Sequence, residues 1–118
     1  MIKGIGIDIV DLARFARQVE RTPKLIPRLF AESERDLSVN SLAARFAAKE
    51  ALIKALGDSA GVSWQDMEIV PDDLGNPGFV LHGSAQAVLD RRGITSLHLT
   101  MTHDAGVACA FVIAEGSR

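Results

Sequence analysis

Apolar and polar positions along the chain follow two periods. From Ile2 to Val10 they alternate: Ile5, Ile7 and Ile9 against Gly4, Gly6 and Asp8. That is a strand with one isoleucine face and one nearly bare face ending in a carboxylate. Glycines inside a strand mark the close approach of a backbone or a ligand. From Asp11 to Arg21 the period becomes helical, with Leu12, Phe15, Ala16 and Val19 on one face and Arg14, Arg17 and Arg21 opposite. Thr22-Pro23 ends this helix. Leu25 to Leu37 reads as one short helix, or two broken at Pro27, with Ser33 as a cap. Ser41 to Leu56 is the longest helix, with Asn40 or Ser41 as N-cap and Gly57 as C-cap. A loop at Asp58–Gly61 follows. Glu68–Val70 and Phe79–Leu81 are short strands joined through the turn-rich Asp72–Gly78 as a hairpin. Ser84 to Arg92 is a helix capped by Ser84 and stopped by Gly93. Leu97–Thr102 alternates as a strand, His103–Gly106 makes a tight turn, and Val107–Ala114 is apolar on both faces, which predicts a central strand. The tail from Glu115 is expected to fray.

The central helix carries the anomaly. Leu42, Phe46, Ile53 and Leu56 share one face and alanines cover most of the other, so no broad polar face remains and burial nearly all round is expected. Glu50 and Lys54, four apart, lie on one face of it. They read either as an i,i+4 ion pair of small worth or as a functional pair, because a carboxylate in such surroundings needs a cation, a metal or a ligand beside it. Asp8 has the same two readings: a cap or strand-end turn, or a functional carboxylate on the stripped face.

Charge and composition narrow the classes. The 118 residues carry a formal charge of −2, with 47% hydrophobic and 24% charged residues, the profile of one modest globular domain. No chain-wide basic field supports nucleic-acid binding. Residues 12 to 28 nevertheless hold five cations, Arg14, Arg17, Arg21, Lys24 and Arg28, against one anion, Glu20. That stripe is either a solvated helix face or a docking surface for an acidic partner. The single Cys109 sits in an apolar run and reads as a small core residue; with no targeting stretch or membrane span in view, a cytoplasmic setting is expected. Trp64 reads as a core or edge anchor. The acidic pair Asp72-Asp73 reads as solvated. His103 opens a turn, where a structural hydrogen bond is the plain reading. No phosphate-binding Gly-x-x-x-x-Gly-Lys loop, Gly-x-Ser-x-Gly elbow or zinc-ligand spacing occurs.

Three stretches together resemble a known family. Gly4-Ile5-Gly6-Ile7-Asp8-Ile9-Val10-Asp11 is similar to the N-terminal signature of the phosphopantetheinyl transferases, Arg45 to Gly57 (RFAAKEALIKALG) to their helical signature, and Thr100-Met101-Thr102-His103 to a strand end near their C-terminus. Length and order match the small, single-domain branch, and the likeness covers nearly the whole chain. It implies an α+β fold, a small antiparallel sheet packed around a long central helix, with residues 1–118 as one domain. It implies transfer of 4′-phosphopantetheine from coenzyme A to a serine hydroxyl of apo acyl carrier protein, releasing adenosine 3′,5′-bisphosphate. Asp8 and Glu50 would hold Mg2+, with Mn2+ as a substitute. Glu50, directly or through a water it orients, would be the base, and Lys54 would neutralise or protonate the leaving phosphate. Arg45 and His103 would contact the nucleotide, Lys54 the coenzyme A phosphates, and Arg14, Arg17, Arg21 and Arg28 the acidic carrier. The branch implies a homotrimer with sites at subunit boundaries. A non-catalytic coenzyme A-binding oligomeric module is the alternative.

Overall fold

The computed structural model describes residues 1–57 and 61–117; the loop expected at Asp58, Ser59 and Ala60 and the terminal Arg118 lie outside them. In chain order the elements are β1 (Ile2–Asp11), α1 (Leu12–Arg21), α2 (Leu25–Leu29), a 3-10 turn (Glu32–Glu34), α3 (Val39–Leu56), a second 3-10 turn (Trp64–Asp66), β2 (Met67–Pro71), β3 (Pro77–Leu81), α4 (Gly83–Arg92), β4 (Ile94–Asp104) and β5 (Val107–Gly116). The three-stranded antiparallel sheet has the order β1-β5-β4; β2 and β3 form a separate hairpin. This is the expected α+β architecture, with β5 in the centre as its two apolar faces require.

One face of the large sheet is closed by α3. Its rows are set by the pairings Gly4↔Ala114, Gly6↔Val112 and Asp8↔Ala110. An added Cβ at Gly4 would lie 1.9 Å from the carbonyl oxygen of Ala55, and one at Gly6 would lie 1.9 Å from that of Ala51. The bare face of β1 therefore exists so that strand and helix backbones can meet. Ala43, Ala47, Ala48 and Ala51 are fully buried, so the helix is enclosed nearly all round. The opposite face of the sheet is uncovered. There Ile5, Ile7 and Ile9 are 54–61% exposed, in register with Ile113, Phe111 and Cys109 of β5.

Local expectations were corrected in six places. Ser38 caps α3, accepting from the Ser41 N–H at 3.2 Å, rather than Asn40 or Ser41. Pro27 lies inside α2, in a first turn where its missing N–H costs nothing; the break falls at Phe30 and Ala31. Ser33 caps nothing, and its hydroxyl donates to Glu68. Ser84 is inside α4, and its N–H and O–H both donate to Asp66, holding that carboxyl below its usual range. His103 belongs to β4, and the turn is the two residues Ala105 and Gly106, both with positive φ as a tight hairpin loop demands. The tail is also ordered further than expected: Glu115 and Gly116 belong to β5, and the N-terminal amine donates to the Gly116 carbonyl at 2.6 Å.

Candidate active site

Asp8 occupies the helix-facing side of β1, two residues beyond Gly6, where the strand passes α3. It does not cap α1; Asp11 does, accepting from the Arg14 N–H at 2.8 Å. Lys54 reaches from α3 to β1, donating to Asp8 Oδ1 at 3.0 Å and to the Ile7 carbonyl at 2.9 Å. Its ion pair is with Asp8 and not with Glu50, so the plain i,i+4 reading of Glu50 and Lys54 does not hold. Glu50 faces the same place. Burial raises its carboxyl above the usual range, the Asp8 charge raises it further, and Lys54 opposes both. Two carboxylates and an ammonium, far apart in sequence, thus converge.

The two carboxylates open into a cavity of about 360 Å³ lined by Asp8, Asp11, Arg14, Phe15, Phe46 and Glu50. Beside it an apolar cleft of about 440 Å³ is walled by Phe15, Leu25, Leu29, Phe46 and Trp64, with Arg21 at its edge. Phe15 and Phe46 belong to both. Trp64 stacks on Phe46 with ring centroids 5.6 Å apart, so it anchors this wall. Arg14 and Arg21 therefore flank the acidic site; Arg17 and Arg28 are exposed on the same stretch.

The donor set fits a hard divalent cation. Two like-charged carboxyls meet at one cavity, and the Asp8 charge makes ionisation of Glu50 harder, which a second cation beside Lys54 would relieve. Among the described residues no cluster of three or more His, Cys, Asp or Glu side chains exists. Two carboxylates with room for phosphate oxygens and water suit magnesium and do not suit zinc.

Arg45 and His103 do not join this cavity within the chain. The Arg45 Nε lies 3.6 Å from Glu34 Oε2, in a separate groove with Ser33, Leu37 and Glu68. That Nε is the buried side-chain polar atom without a hydrogen-bond partner among the described residues. His103 is exposed at the far strand of the sheet, opposite Ala108.

Lys49 was missed by pattern reading. It is 0% exposed, and Glu34, its partner at 2.7 Å, is 1% exposed. Its position carried a signal: seven residues from both Leu42 and Leu56 and three from Leu52, it sits on an apolar stripe. Burial pulls the Lys49 ammonium below its ordinary range, while the hydrogen bond and charge of Glu34 push it back up.

The chain is similar to known proteins in both sequence and fold. A family model described as the 4′-phosphopantetheinyl transferase superfamily matches residues 4–112. A holo-[acyl-carrier-protein] synthase of Clavibacter michiganensis is 63% identical over 116 residues, covering 98% of each chain. The crystal structure of holo-[acyl-carrier-protein] synthase from Neisseria meningitidis superposes with a TM-score of 0.91 at 36% identity, covering 98% of this chain and 99% of that one. The Helicobacter pylori synthase in complex with coenzyme A superposes with a TM-score of 0.83 at 35% identity, covering 94% and 99%.

Proposed function

The chain belongs to the 4′-phosphopantetheinyl transferase superfamily, and from that premise we propose how its own residues carry out the transfer. The enzyme moves 4′-phosphopantetheine from coenzyme A to a serine hydroxyl of apo acyl carrier protein. The observation that carries the residue-level reading is the meeting of Asp8 and Glu50 at one cavity, with Lys54 bonded to Asp8.

The serine oxygen attacks the β-phosphorus of coenzyme A, and the bond to the bridging oxygen breaks, freeing adenosine 3′,5′-bisphosphate. Glu50, its carboxyl held above the usual range, takes the serine proton. Lys54, fixed by the Ile7 carbonyl, neutralises charge on the leaving phosphate. Asp8 and Glu50 are the pair that would hold magnesium, or manganese in its place. When bound, that ion supplies charge stabilisation to the diphosphate. Intact-mass measurement of apo carrier protein incubated with coenzyme A, magnesium and this chain tests the reading. One added phosphopantetheine group supports it; an unchanged mass leaves the binding-module alternative.

Carrier docking belongs to the arginine stripe. Arg14 lines the acidic cavity and Arg21 the cleft beside it, so a negatively charged carrier helix on α1 would present its serine to Glu50. Reversing Arg14 and Arg21 to glutamate is expected to raise the KM for carrier about tenfold or more, with the KM for coenzyme A unchanged, since charge on a rim sets encounter rather than chemistry. An unaltered carrier KM would leave the stripe as a solvated face.

The 118 residues act as one domain, and three copies assemble. Support comes from the uncovered isoleucine face of β1 beside Phe111 and Ile113 of β5, a contiguous apolar surface of the kind that marks an interface. A neighbouring subunit would also bring Arg45, with its unpartnered Nε, and His103 toward the nucleotide. Sedimentation equilibrium is expected to give three times the chain mass, and Ile7→Lys to give a monomer that no longer transfers. No helix among the described residues is long and apolar enough to cross a membrane; a cytoplasmic place in fatty-acid synthesis is the matching setting.

A further inference from the structure

Lys49 touches neither cavity, yet it is among the most enclosed side chains in the protein. An ammonium has three protons to give, and all three are placed: to Glu34 Oε1 at 2.7 Å, to the Leu29 carbonyl at 2.8 Å and to the Trp64 carbonyl at 3.3 Å. The Phe30 ring centroid lies 4.9 Å from the same nitrogen. Glu34 is committed in turn. Its Oε1 also accepts from the Ala31 N–H at 2.9 Å, and its Oε2 accepts from the Ile69 N–H at 3.4 Å. One buried charge pair therefore ties α3 to the end of α2, to both 3-10 turns and to β2.

We propose that the Lys49–Glu34 pair is a positioning device that fixes the rotation of α3 about its own axis, and so the place of the Glu50 carboxylate in the site. The inference rests on the reading of Glu50 given above. Helix α3 is gripped on two sides. On one, the carbonyls of Ala51 and Ala55 press on the glycines of β1. Those residues lie about 200–240° around the helix from Lys49, at roughly 100° per residue. Glu50 and Lys54 fall between the two grips, about 100° and 140° from Lys49. The alanine-on-glycine contact, carbonyl oxygens against bare Cα positions, sets separation more than angle. The ammonium, directional toward three acceptors on other elements, sets the angle. A carboxylate about 5 Å from the axis moves about 1 Å for a 10° rotation. A displacement of about 1 Å at a reacting group is enough to lower a rate about a hundredfold. A buried ion pair is poor value as a source of stability alone, since apolar replacements often match it; orientation gives it a reason to be there.

The test separates orientation from stability. Lys49→Met/Glu34→Gln removes both charges of the buried pair together; Arg45, 14% exposed, loses its carboxylate neighbour at 3.6 Å. In Glu34→Gln alone the amide oxygen still accepts from Lys49 and Ala31. Folded fraction is followed by the fluorescence of Trp64, the sole tryptophan, and rates are expressed per folded molecule. The double variant is expected to lose about thirtyfold or more in kcat, and Glu34→Gln about fivefold, with both KM values within about threefold of the parent. If the double variant does not fold, Glu34→Gln alone decides. A parental kcat per folded molecule in the folded variants, or a loss carried wholly by KM, overturns the proposal. Glu50→Gln run alongside distinguishes the two failures: parental transfer by that variant would remove the reading of the site itself, whatever Lys49 does.

Discussion

Glu50→Gln is expected to lower phosphopantetheine transfer about a thousandfold while leaving the fold as stable as before or more so. The rate falls because the amide can neither take the serine proton nor share a cation with Asp8, and loss of a positioned base alone is worth roughly 10²- to 10⁴-fold. The stability expectation follows from the raised pKa of Glu50, caused first by burial and then by the Asp8 charge. A carboxyl whose pKa is higher folded than unfolded favours the fold fully below its unfolded pKa, and that contribution disappears as pH rises through the folded value. At neutral pH the ionised side chain therefore works against the fold, and glutamine removes that penalty. Thermal melts with a chelator present, from pH 4 to 8, are expected to show the parent losing stability relative to Glu50→Gln as pH rises. Asp8→Asn is expected to abolish transfer as well and to bring Glu50 back toward the ordinary carboxylate range. Full activity in either variant, or a Glu50→Gln protein less stable than the parent at neutral pH, would contradict this account.

Gly6→Ala is expected to be among the most damaging single changes to the fold. The new methyl would lie 1.9 Å from the Ala51 carbonyl oxygen and 2.8 Å from the Ala55 nitrogen. Both are backbone atoms of a helix held on its other side by the Lys49 network, so neither can step aside. Overpacking a core that cannot relax costs about 3 kcal/mol or more, and a loss of that size lowers the melting temperature of a chain this long by about 10 °C or more. Gly78→Ala is the control: the nearest atom to its new Cβ is 3.9 Å away. A Gly6→Ala protein that melts with the parent would show that β1 and α3 are not in rigid contact.

How far the sequence foretold this depends on what each residue had to say locally. The period-2 run from Ile2 and the period-3.6 run from Leu12 each name an element outright, and the large strands and helices stand close to where they were expected. Gly6 and Ala51 each announced a close approach, though only the fold identifies them as each other's partner. Pro27 misled because proline breaks a helix interior but not a first turn. Ser84 misled because a serine near a helix start reads as a cap, and nothing local reveals that Asp66, from another turn, accepts hydrogen bonds from both its N–H and its O–H. Asp8 and Glu50 could be nominated from the chain as costly carboxylates, but that they face one cavity is a tertiary fact. Lys49 was hidden by its charge, since a lysine next to a glutamate reads as surface until its place on the leucine stripe is counted.

The pairing of the first strand with the last has a consequence for synthesis. β1 is complete by Asp11, while its partner begins only at Val107. At ribosomal speeds of about 5–20 residues per second, the newborn segment waits about 5–20 s with its backbone groups unpaired. Its final zipping, from Asp11↔Val107 to the amine on Gly116, can finish only once β5 has cleared the exit tunnel. The sheet cannot close before its central strand has been made, and the interval until then is when a holdase has most to protect.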